Sequence, residues 1–151
     1  MTLNKGDVIK ALQSEEPDYP AVAASLGSQA TPLLEEIAAE HDVGLASKAT
    51  TVAGLLSVGS ARVVLQRAAL HQDPVVRIAA AASLERQPEL ANELMGQLLS
   101  DPDMGVRKWT LRSLKTLTPR GYRKQVEAMA STEEEPFLRD LAEEVAQQLP
   151  S

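Results

Sequence analysis

The sequence predicts an all-α chain folded as an α-solenoid of about five helix pairs. Four leucines, Leu26, Leu55, Leu84 and Leu114, recur along it at nearly constant spacing. Each ends an Ala- or Ser-rich helical stretch and is followed by a turn and a further helix. A helical period of about 30 residues marks units that bury their apolar faces only by stacking on one another. Aromatics make up only 3% of the 151 residues, so packing rests on Ala, Leu and Val, which suit close helix–helix approach.

Taken in order, the pairs are expected at about 2–27, 31–57, 61–86, 89–117 and 120–149, as one repeat domain over 1–151. The second helix of each pair is expected at about 19–26, 44–57, 74–86, 104–117 and 136–149. Turn chemistry sets these cuts. Gly27, Gly59 and Gly121 fall between pairs, and Asp-Pro at 73–74 and 101–102 opens or precedes second helices. Asp favours the N-cap and Pro the first helical position. Leu33, Leu34 and Ile37, then Leu90, Leu94 and Leu98, carry the spacing of a one-sided helix.

A second register runs beside the leucines. Lys48, Arg77 and Arg107 each stand seven residues before one of them, and Asp42, Asp73 and Asp103 precede these cations in the turns. The stretches DPVVRIAAAASL and DPDMGVRKWTLRSL, with their Asp turn, Val-Arg and Ala-Ala-Leu features, resemble HEAT repeats of the short, phycobilisome-lyase-like type. The resemblance spans about residues 19–149. It is strongest in the two central repeats and weakest at the ends, where Tyr19 replaces the basic residue. It implies a ladder of Asp73, Arg77, Asp103 and Arg107 joining successive repeats, which makes these arginines architectural.

Little points to chemistry. The chain has no cysteine, which excludes disulfides and thiolate metal sites. His41 and His71 lie one repeat apart with no third ligand in sight; a metal site takes three or four. They read as solvated helix-end side chains. No Gly-rich phosphate loop, G-x-S-x-G or H-E-x-x-H occurs, so neither catalysis nor a cofactor is expected. The first eighteen residues are polar and hold acids, unlike a secretory leader, and no stretch approaches a membrane span of ~20 apolar residues. The cytoplasm is the expected compartment.

Charge is the most uneven feature. The net charge of −6 divides into −7 over residues 1–106, +7 over 107–124 and −6 over 125–151. The basic island RKWTLRSLKTLTPRGYRK holds the single Trp. At 100° per residue, Val106, Thr110, Ser113, Leu114 and Leu117 share the core side, Lys108 and Lys115 point away, and Trp109 sits at the margin. Trp109 is then either packed against a neighbouring repeat or an anchor in a groove. The resemblance implies that second helices line a concave face. The candidate partner-binding residues on it are Ile78, Lys108, Trp109, Arg112, Lys115 and Leu141. Aromatic residues beside arginine are common at interface hot spots.

The expected function is a non-enzymatic protein–protein interaction module, an adaptor or assembly factor, that binds an acidic or amphipathic segment of a protein partner. The resemblance also implies an alternative, a subunit or relative of a bilin-attachment lyase. A nucleic-acid-binding solenoid is the other alternative. The acidic flanks disfavour it, because phosphate binding needs cations spread along a path. A monomer is expected for the chain on its own.

Overall fold

The computed structural model describes residues 2–151, and ten α-helices run through them. In chain order they are α1 (Lys5–Leu12), α2 (Tyr19–Leu26), α3 (Thr31–Ala38), α4 (Val43–Ala53) and α5 (Val58–Ala68). Then follow α6 (Pro74–Ser83), α7 (Pro88–Leu99), α8 (Met104–Leu117), α9 (Arg123–Thr132) and α10 (Pro136–Gln148). No helix among the described residues is long and apolar enough to cross a membrane. Five antiparallel pairs stack in two rows, as expected of an α-solenoid. Second helices α4, α6, α8 and α10 pack closely in succession, whereas α5 and α7 touch less and α7 and α9 scarcely meet.

Local sequence explains where the helices begin. Asp18, Asp42, Asp73 and Asp103 each precede a second helix and accept a backbone N–H from its first turn, at 3.2, 3.1, 2.9 and 3.0 Å. Such caps contribute roughly 1 kcal/mol each. Asn4 and Asp7 form a reciprocal capping box at α1. Proline occupies the first turn of α2, α3, α6, α7 and α10. Gly27 ends α2 at φ +66°, a conformation that favours glycine. Gly59 does not mark a break: α5 begins at Val58, so this glycine lies in its first turn.

The leucine register holds at three of its four marks. Leu26, Leu84 and Leu114 are buried, but Leu55 is only half-buried in the turn after α4. Counted from the capping aspartates, Leu84 and Leu114 both stand eleven residues on, and the same count from Asp42 reaches Ala53, which is fully buried. The second pair has thus slipped by two residues against the leucine spacing.

That slip sits beside a seam in the core. One body of buried side chains gathers Val8, Leu12, Leu34, Ile37 and Val52; the other gathers Leu65, Leu84, Leu90, Leu98, Leu111 and Leu114. They divide near the boundary of the second and third pairs and interlock across it, Val64 of α5 joining the first body and Ala46 of α4 the second. There α4 meets α6 through Ala, Gly, Thr and Ser, and directional polar contacts join the turns. Thr31 Oγ1 donates to Ser60 Oγ at 2.7 Å, and Gln87 Nε2 donates to the Gly54 and Leu56 carbonyls at 2.8 and 2.9 Å. The approach is tight. A Cβ added at Gly54 would lie 2.6 Å from Ser83 Oγ and 2.7 Å from its Cβ. Gly54→Ala is expected to destabilise by about 1–3 kcal/mol through overpacking. Adding Ser83→Gly should recover most of the loss, and urea midpoints of the single and double variants check this.

Candidate functional site

The arginines expected in the ladder are in place, but their acids are not the expected ones. Arg77, half-buried on α6, gives a two-pronged contact to Asp101 in the next pair, at 2.8 and 3.1 Å. Its Nη1 also donates to the His71 and Gln72 carbonyls, at 2.8 and 3.0 Å. Arg107 on α8 repeats the arrangement: Glu133 at 2.8 and 3.0 Å, and the Asp101 and Pro102 carbonyls at 3.0 Å each. Asp73 and Asp103 cap their helices instead. A side chain that caps its own helix one turn before the arginine cannot also cross to the next repeat. The bridging carboxylates stand two residues before the cap position, and that constant offset was the available signal. Guanidinium–carboxylate forks of this kind are strong and geometrically specific.

His71 holds the same offset before Asp73, and it is not a solvated helix-end residue. Its Nδ1 accepts the Asp73 backbone N–H at 3.0 Å, so its Nε2 carries the proton and donates to the Glu40 carbonyl at 3.0 Å. The rung between the second and third pairs is therefore a neutral histidine reaching a backbone oxygen. Ala46 takes the arginine's place there, four residues after the Asp42 cap. Lys48 is out of register and donates to the Ser14 carbonyl at 2.8 Å.

On the second-helix row, α8 and α10 enclose a cleft of about 630 Å³ that includes Trp109, Arg112, Lys115 and Leu141, with Glu85 and Glu144 at its edges. Trp109 is half-buried against the core. Part of the indole packs on the core and part lines the cleft. Lys108 Nζ lies 5.7 Å and the Arg112 guanidinium carbon 5.1 Å from the ring centroid. These are cation–π distances, worth about 0.5–1 kcal/mol at exposed sites.

The structure brings together Lys108, Trp109, Arg112, Lys115 and Leu141, but it sets Ile78 apart. Ile78 packs over Gly105 at the start of α8, where an added Cβ would lie 2.9 Å from Ile78 Cδ1. It joins two repeats and does not line the cleft.

The basic island is also less positive than its sequence. Arg107 pairs with Glu133, Lys115 with Glu144 at 2.7 Å, and Arg123 with Glu127 at 3.0 Å. Among the described residues, Lys108 and Arg112 make no ion pair, so the uncompensated charge beside the cleft is concentrated around Trp109.

A family model described as HEAT repeats matches residues 61–147. Repeats of this kind generally mediate protein–protein interaction, typically as non-enzymatic scaffolds. A search of the curated proteins returns no match. The matched segment exceeds half the chain and falls on α5–α10, the helices that carry two of the four capping aspartates and both arginine bridges; the chain belongs to the HEAT-repeat family.

Proposed function

We propose that this protein is a non-enzymatic adaptor or assembly factor that holds an acidic or amphipathic segment of a protein partner on its second-helix face. The observation that carries this reading is the half-buried Trp109 between Lys108 and Arg112, on the wall of a cleft that also presents Leu141. Fixed aromatic area beside arginine is the composition of an interface hot spot. An apolar side chain fits between Trp109 and Leu141, with a carboxylate reaching Arg112. Glu85, the acid of the cleft lining that makes no ion pair among the described residues, favours a short segment over a long polyanion, which supports a protein partner over nucleic acid.

The test uses the partner captured from the protein's own cells and measures its binding at two ionic strengths. Trp109→Ala should weaken binding by ~2 kcal/mol or more, about thirtyfold, with a smaller loss of thermal stability. Reversing Lys108 and Arg112 to glutamate should slow association, more so at low salt. If wild type and both variants bind alike, the site lies on another surface.

A further inference from the structure

The single Phe of the chain, Phe137, is 48% exposed. It has company. Five large apolar side chains stand exposed among the described residues, and four of them, Leu70, Val75, Met104 and Phe137, lie on one edge of the stack. That edge is formed by the turns within pairs. Leu70 lies in the turn after α5, while Val75, Met104 and Phe137 stand in the first turns of α6, α8 and α10. Equivalent first turns in successive repeats place them in a row. Isolated exposed apolar residues need no explanation, but a row of them along one border does.

The same edge is mainly acidic. Two of its arginines, Arg77 and Arg107, are bound to Asp101 and Glu133, and Arg139 in the first turn of α10 is the cation left without an ion pair there among the described residues. Asp73, Asp103, Glu134 and Glu135 remain there without ion pairs among the described residues. The apolar row also meets a depression. Because α7 and α9 scarcely meet, a cleft of about 770 Å³ opens between the fourth and fifth pairs, with Leu99, Met104 and Met129 on its walls and Glu134 and Glu135 at its mouth. Phe137 follows Glu135 by two residues. The cleft walls mix these apolar side chains with Ser100, Gln125 and Thr132, and under the acids Glu134 and Glu135 they complement an apolar side chain flanked by cations. This is the opposite polarity to the Trp109 cleft.

We infer that this edge is a second docking surface, which takes a short basic segment of a protein partner bearing large apolar side chains. The apolar side chain enters the cleft beside Met104, and lysines or arginines on either side meet Glu134 and Glu135. The surface stands independently of the Trp109 face, so the chain can hold two segments of opposite charge at once.

A display library of random dodecapeptides, panned against the whole chain, tests this. Selection should enrich peptides in which Lys or Arg flanks Leu, Phe or Trp. Their affinity should fall at least tenfold with Phe137→Ser and with the pair Glu134→Lys and Glu135→Lys, and should be unchanged by Trp109→Ala. Circular dichroism melts of each variant separate lost binding from lost folding. Phe137 is already exposed, so its variant keeps the fold readable. The inference is overturned if no peptide is enriched over a carrier control, if enriched peptides are acidic, or if they bind both edge variants as well as wild type. It is equally overturned if the chain dimerises through this edge and Phe137→Ser abolishes the dimer, since the occupant is then a second copy.

Discussion

Leu84→Ala should cost ~2–5 kcal/mol, the range for a buried leucine truncated in a core that relaxes only partly, while Leu55→Ala should cost below about 1 kcal/mol. The two residues hold the same register mark in successive pairs of the sequence. In the structure Leu84 is fully buried in the larger core body, and Leu55 is half-exposed in a turn. The corresponding volume in the second pair is filled by Ala53. Urea denaturation of the two variants measures this directly. Equal midpoints would mean that the leucine spacing, and not the capping aspartate, sets the phase of the second pair.

Arg77→Ala carries the other large effect. Arg77 and Asp101 side chains are only 14% and 8% exposed, so removing the guanidinium strands a carboxylate that water barely reaches. The carbonyls of His71 and Gln72 lose a donor as well. Breaking one partner of a buried pair typically costs ~3–5 kcal/mol. Arg77→Lys should recover only part of this, because an ammonium cannot make the two-pronged contact. In a double-mutant cycle, Arg77→Ala with Asp101→Ala should cost clearly less than the sum of the single changes. An Arg77→Ala protein that melts with wild type would remove the ladder from any account of stability.

Most of the architecture was legible in the sequence because the signals were local. Capping aspartates, first-turn prolines and one-sided leucines each depend on a few neighbouring residues, so the second helices start within one residue of their expected positions. What failed was the assignment of partners. Asp73 and Asp103 were the nearest acids to the arginines in sequence, yet the bonds go to Asp101 and Glu133. Lys115 lost its free charge to Glu144, in the following pair, and Arg62 likewise meets Glu93 in the pair after its own. In a stack, facing side chains are about one period apart, so polar partners must be sought at that separation and not within the local motif. The helical projection of α8 placed Trp109 correctly at the margin but missed Leu111, which is fully buried. A second helix has neighbours on both sides, so its buried arc is wider than that of a one-sided helix.

The seam between the second and third pairs bears on how stability is shared along the stack. Three pairs share the larger core body and the two arginine bridges, which meets the minimum at which stacked repeats become stable. The first two pairs fall below that number and lean on the third through Val64 of α5, which completes their core body, and through small side chains, the Arg67–Glu35 pair and the His71 contact. Amide hydrogen exchange is therefore expected to open the first two pairs at lower free energy than α6 and α8, so that the amino-terminal helices behave as the looser cooperative unit of the stack.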